Sequence, residues 1–147
     1  MKRELAPVSE DTVKRAAALA KPSAVGAWFG TRVELAGNEH LYRLTFDEPH
    51  IGNPIIRALH GGVISAFMEY SARLEVLSRL ENDIPMRSIS VHTSYLRGSH
   101  ARDFTTAISV KRMGRRIAFV EASGWQGERE ELVATAQIAF RLLNDEG

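Results

Sequence analysis

The sequence contains no cysteine, which excludes disulfide frameworks, thiolate metal sites and a cysteine nucleophile, and which fits a reducing compartment. It also lacks any apolar run near the ~18 residues needed to span a bilayer. The basic opening MKRELAPVSEDTVKR has no apolar stretch behind it, so a cytoplasmic location away from membranes is expected. Charge of one sign is not in excess either: 19 Lys and Arg against 18 Asp and Glu leave a net +1, which gives no reason to expect nucleic acid as a partner. There is no internal repeat and no low-complexity segment. The five histidines, His40, His50, His60, His92 and His100, show no HxxxH or similar ligand pairing, so no metal site is expected. What remains is 147 residues, 44% hydrophobic, enough for one unit with a sizeable core.

The charge is unevenly placed. Between Arg97 and Arg116 stand six basic residues and one acid, Asp103, a net +5, whereas the chain from Ile117 onward nets −4. The basic run reads either as a solvated strand face or as a seat for a polyanion.

Along the chain, Val8 to Lys21 reads as a short helix, with Ser9 as its N-cap, acids in its first turn and Pro22 ending it. TRVELA and HLYRLTFD follow as an antiparallel hairpin turned at Gly37-Asn38, with Tyr42, Leu44 and Phe46 sharing one face. Pro49, Gly52 and Pro54 make Glu48 to Leu59 a loop. VISAFMEYSARLEVLSRL, from Val63, carries no Gly or Pro and is apolar nearly all round in its first half, which predicts a buried helix. Four strand-like runs complete the chain: SISVHTSYL, FTTAISVKRM, RIAFVEASGW and ELVATAQIAFRLL. A helix apolar on most sides needs cover on most sides, and a curved antiparallel sheet of about six strands supplies it, giving an α+β architecture.

Two features of the helix carry chemistry. Ser65, Glu69 and Arg73 form a narrow polar stripe, spaced four apart, beside Phe67, Met68 and Tyr70. Glu69 reads as the acidic half of an i,i+4 pair with Arg73, or as a carboxylate in apolar surroundings suited to act as a base. His60-Gly61-Gly62, just before the helix, reads as a tight turn into it, or as a place where free N–H groups face a carbonyl oxygen becoming an oxyanion. His60 and Glu69 are nine residues apart, about half a turn out of phase and roughly 13 Å along the axis. If both serve one reaction, the economical arrangement joins Glu69 of one subunit to the glycine amides of another across a two-fold axis.

The order NPIIRALHGGVISAFME, SISVHTSYLRG, VKRMGRRIAFVEASGW and ELVATAQIAF resembles the hotdog-fold acyl-CoA thioesterases, in particular the phenylacetate-degradation (PaaI-like) type with its HGG signature. The resemblance covers roughly 27–143. It implies a hotdog fold, one domain over 1–147 with a leading helical segment at 1–25, and hydrolysis of an acyl-CoA thioester without metal or organic cofactor. It further implies a homodimer with sites at the subunit interface, or a dimer of dimers. Glu69 matches the family's catalytic carboxylate, acting as base or nucleophile, and Gly61 or Gly62 the amide that polarises the thioester carbonyl. His60 matches the motif histidine that holds the loop. Asn53 looks like the loop asparagine near the thioester, and stands seven residues before His60, one more than expected for the family. Ser88 falls where a hydroxyl orients the water, seven positions before Tyr95. Ser90 and His92 stand where acidic and amide residues are common. Arg97 and the Gly114 hairpin, with Arg112, Arg115 and Arg116, are then expected to neutralise the phosphates of coenzyme A, and Phe67 and Tyr70 to bound the acyl group. Two rival readings are a non-catalytic acyl-CoA-binding module and an enoyl-thioester hydratase or dehydratase. The latter wants an Asp before NP and a His a few residues on, and DEPHIGNPI offers neither.

Overall fold

The computed structural model describes residues 3–143; the ends of the expected unit, 1–2 and 144–147, lie outside the described residues. Helix α1 (Glu10–Ala20) starts where the sequence indicates, with the Ser9 side chain accepting from the Thr12 N–H and the Thr12 hydroxyl accepting from the Ser9 N–H. A second short helix, α2 (Ala24–Phe29), was not anticipated; Ser23 caps it and Gly30, at φ +59°, ends it. Strands β1 (Arg32–Ala36) and β2 (Glu39–Leu44) form the expected hairpin, with Gly37 at φ +60° in the turn. The segment read as a loop instead holds a 3-10 turn (Glu48–His50) and a two-stranded ribbon, β3 (Ile51–Asn53) with β4 (Ala58–Leu59).

The long helix α3 (Gly61–Arg79) follows at once, and then β5 (Met86–Tyr95), β6 (Phe104–Met113), β7 (Ile117–Trp125) and β8 (Ala134–Leu142). The main sheet is antiparallel in the order β1-β2-β6-β7-β8-β5, so β5 lies at an edge although three strands follow it in sequence. This is the six-stranded sheet with a central helix that defines a hotdog fold, as expected. The core forms between α3 and the sheet. Phe67 sits between Phe29 and Phe104, with ring centroids 5.3 and 6.4 Å away, in a buried cluster that also holds Met68, Leu44, Ile138 and Phe140. Small residues on the inner sheet face make room for the rings: a Cβ on Gly124 would stand 2.1 Å from the Phe104 ring.

One irregularity in β5 decides which of its side chains meet the helix. Ser88 pairs with Phe140 and Ser90 with Ala139, so Ile89 is an extra residue in the ladder. Before the bulge, Met86 and Ser88 stand opposite buried Leu142 and Phe140. After it, Val91, Thr93 and Tyr95 stand opposite buried Ile138, Ala136 and Ala134. Uninterrupted alternation from Ser88 would have turned Ser90 and His92 toward the helix. The bulge turns them to the outer face, where they border a groove of about 320 Å³ with Lys111, Phe119, Glu121 and Gln137.

Candidate active site

The polar stripe of α3 lies along the inward side of β5. Tyr95 donates to the Gly61 carbonyl at 2.6 Å, Ser65 and Thr93 share a hydroxyl–hydroxyl bond of 2.6 Å, and Ser88 donates to Glu69 Oε1. Because the helix runs antiparallel to the strand, these three bonds follow one another along its length. All of them lie at the open edge of the sheet. The groove on the outer face is on the other side of β5 and shares none of these residues.

Glu69 and Arg73 do not form the ion pair that their spacing allows. The Arg73 guanidinium instead donates to the Met86 carbonyl at 2.8 Å and to Ser88 Oγ at 3.0 Å, and it lies 5.3 Å from the centroid of the Phe140 ring. Ser88 therefore stands between the base and the acid of the stripe. Glu69 is half-buried, and its second carboxylate oxygen has no partner among the described residues.

At the other end of the stripe, His60 is the N-cap of α3 and its Nδ1 accepts from the Gly62 N–H at 2.9 Å. This fixes the tautomer, since an accepting Nδ1 leaves the hydrogen on Nε2, which faces solvent. It also distinguishes the two glycines. Gly62's amide is occupied by the cap, whereas the Gly61 N–H has no acceptor among the described residues. The Gly61–Gly62 peptide is held at both ends, by Tyr95 on its oxygen and His60 on its nitrogen. The β3–β4 ribbon folds onto this corner: the His60 N–H bonds to the His50 carbonyl at 2.9 Å, and a Cβ at Gly52 would stand 2.6 Å from His60 Cα. His50 is buried and structural, accepting from the Asp47 N–H and bonding the Trp28 carbonyl at 2.8 Å.

The distance between the two ends is axial. Gly61 and Glu69 both lie along β5, eight residues and about 12 Å apart. Within one chain they cannot reach the same carbonyl carbon.

The remaining expected residues fall as follows. Asn53 is exposed at the end of β3, where its Oδ1 accepts from the Ile55 N–H at 3.0 Å, so its carbonyl end closes the ribbon turn and its amide end remains to donate. Phe67 is in the core rather than on a free cavity wall, and Tyr70 packs against α2, with its hydroxyl by Gly26 and its ring 5.7 Å from Phe29. The basic residues divide into two groups. Arg97 follows β5 and donates to the Leu132 carbonyl, whereas Arg112, Gly114, Arg115 and Arg116 lie at the far end of β6 and β7. The length of β7 separates the two ends by roughly 27 Å, so one protomer does not bring the expected phosphate seat together. Arg115 and Arg116 occupy the turn, not a strand, and strand alternation does not set their directions.

Thr93, Tyr95 and Arg73 were not among the expected site residues. The odd, seven-residue spacing of Ser88 and Tyr95 was the available signal, because two residues so spaced reach one face only if a bulge intervenes.

Residues 50–141 match the family model for the N-terminal domain of acyl-CoA thioesterases. The chain belongs to that family, and it is a thioester hydrolase. Among solved structures, one from the thioesterase superfamily superposes with a TM-score of 0.80 at 23% identity, covering 90% of this chain and 98% of that one. A thioesterase of Haemophilus influenzae gives 0.78 at 20% identity, covering 92% of each chain. The E. coli PaaI protein, from the phenylacetic acid degradation operon, gives 0.77 at 14% identity, covering 92% of this chain and 96% of that one. No curated protein matches the chain in sequence. Among the described residues, no helix is long and apolar enough to cross a membrane.

Proposed function

We propose that the protein hydrolyses an acyl-CoA thioester at a site completed by two subunits, with Glu69 of one and the Gly61 amide of the other acting on the same carbonyl. The observation that carries this reading is the open edge at β5. There a carboxylate with one free oxygen and an unpartnered helix-terminal N–H lie on one line, too far apart to cooperate within a chain.

An antiparallel copy of β5 resolves the separation. Because Ile89 is an extra residue in the ladder, Ser88 and Tyr95 lie equally far from His92, so pairing β5 with its own copy about His92 sets Ser88 beside the second Tyr95. Glu69 then comes near the second Gly61. The strand suits such pairing: Ile89 is 53% exposed, Tyr95 53% and Leu96 56%, a row of apolar side chains on an unprotected edge. The same two-fold brings the Arg97 end of one protomer toward the Gly114 turn of the other, reuniting the basic residues at one rim. There they can meet the phosphates of coenzyme A.

The reaction then proceeds without a cofactor. Glu69 takes a proton from water, and the water oxygen bonds to the thioester carbon. The resulting oxyanion accepts from the Gly61 N–H, the C–S bond breaks, and the departing thiolate takes the proton from Glu69. Direct attack by Glu69 through a transient anhydride uses the same groups. The exposed His60 Nε2–H and the Asn53 amide remain free to donate to the substrate in this reading.

The test is release of free thiol from a panel of short, medium, long-chain and aromatic acyl-CoAs. Having no cysteine, the protein contributes no background to a thiol-reactive dye. Turnover on at least one class is expected. Binding across the panel without turnover would instead favour the non-catalytic acyl-CoA module. The two-subunit arrangement makes a separate prediction. Val91→Asp sets two carboxylates near each other at the two-fold, so the variant should sediment as a monomer and lose turnover with the dimer. A fully active monomer would rule out the shared site.

A further inference from the structure

We infer that Arg73 is a positioning residue that acts on Glu69 through Ser88, setting the hydroxyl hydrogen on the carboxylate while staying off the carboxylate itself. This rests on the reading of Glu69 as the reactive carboxylate.

A glutamate four residues before an arginine on a helix ordinarily makes a direct pair, and in the second half of the same helix Glu75 and Arg79 do so, at 2.9 Å. Arg73 has the same spacing from Glu69 and makes no such pair. Its guanidinium is drawn to the sheet by the Met86 carbonyl at 2.8 Å and by the face of Phe140. From that position one N–H reaches Ser88 Oγ at 3.0 Å.

The hydroxyl chemistry follows from the donor count. Ser88 has one hydrogen and two lone pairs. With Arg73 donating to the oxygen, the hydrogen is directed to Glu69 Oε1, and the nearby cation strengthens that donation. A direct guanidinium–carboxylate fork would occupy both carboxylate oxygens. Routing the contact through Ser88 occupies only Oε1, so Oε2 remains for water or for the thioester carbon. The bulge at Ile89 belongs to the same device, because it keeps Ser88 on the helix side while Val91, Thr93 and Tyr95 share that side further along.

The test is a double-mutant cycle on turnover, with Glu69→Gln as a reference. Arg73→Met keeps the stem and removes the guanidinium; Ser88→Ala removes the relay. Each should lower kcat by about 10- to 100-fold with KM nearly unchanged, and the double variant should be no slower than the slower single. Arg73→Lys should recover part of the rate when Ser88 is present and none when it is absent. That cycle also serves if Arg73→Met does not fold. Equal, additive losses in the two backgrounds would overturn the relay, as would a rise in KM at constant kcat. Glu69→Gln separates the levels. If it is inactive while Arg73→Met keeps full activity, only the role of Arg73 falls; if it turns over normally, the reading of Glu69 falls as well.

Discussion

Glu69→Gln should lower kcat on the preferred acyl-CoA by about 10²- to 10⁴-fold, the range expected when a positioned base is removed. The amide has nearly the shape of the carboxylate but can neither take a proton from water nor attack a thioester carbon. KM should stay within a few-fold, since Glu69 lies beside the reacting carbon and not along the nucleotide. The fold should persist: among the described residues Glu69 bonds only to Ser88, so circular dichroism and the unfolding midpoint are the controls. Single-turnover hydrolysis in ¹⁸O-labelled water then distinguishes the two routes. Direct attack by water leaves the enzyme unlabelled, whereas hydrolysis of an anhydride can transfer label to Glu69. A Glu69→Gln protein that keeps wild-type kcat would return Glu69 to a structural role in the stripe.

The elements that hold this site differ in how far they could be read from the sequence. The long helix and its polar stripe were legible because the apolar period and the four-residue spacing of Ser65, Glu69 and Arg73 are local properties. The HGG turn was legible as a place of close approach. The split between its two amides was not, since that depends on His60 Nδ1 turning back onto Gly62. The bulge at Ile89 could not be read from β5 alone, because a bulge is defined by the partner strand. The register against β8 makes it visible. Arg73 shows the same limit in energetic terms. Helical spacing favours its pairing with Glu69 by a few tenths of a kcal/mol, and a backbone carbonyl and an aromatic face from distant strands suffice to redirect it. The basic run between Arg97 and Arg116 was legible as composition, but only topology shows that its two ends lie at opposite ends of the sheet.

The strongest stability effect should come from Glu75, which the local pattern marks only as the partner of Arg79. Its side chain is 2% exposed and has three polar partners from two elements, β2 and α3 itself. Oε1 accepts from His40 Nδ1 and from the Tyr42 hydroxyl, both at 2.8 Å, and Oε2 accepts from Arg79 at 2.9 Å. The same histidine meets the Thr12 hydroxyl of α1 through Nε2 at 2.8 Å, so the cluster fastens α1 to both α3 and β2. Burial raises the carboxyl's pKa, but the hydrogen bond and charge of His40, with the hydrogen bonds of Tyr42 and Arg79, more than offset it and hold Glu75 below the ordinary carboxylate range. Burial, together with the neighbouring carboxylate, pushes the Tyr42 phenol well up, so it remains a donor at any working pH. Glu75→Ala leaves His40, Tyr42 and Arg79 without their acceptor, and should cost about 3 to 5 kcal/mol. For a chain of this size that is on the order of 10 °C in Tm. The pH dependence has a definite sign. A carboxyl whose folded pKa lies below its unfolded one contributes stability above the unfolded value, near 4.5, and loses it as pH falls through the folded pKa. Urea unfolding of the wild type should therefore weaken as pH drops below about 4.5, and Glu75→Gln should flatten that part of the curve. A Glu75→Gln protein with an unchanged acid limb would show that other carboxylates set the acid stability.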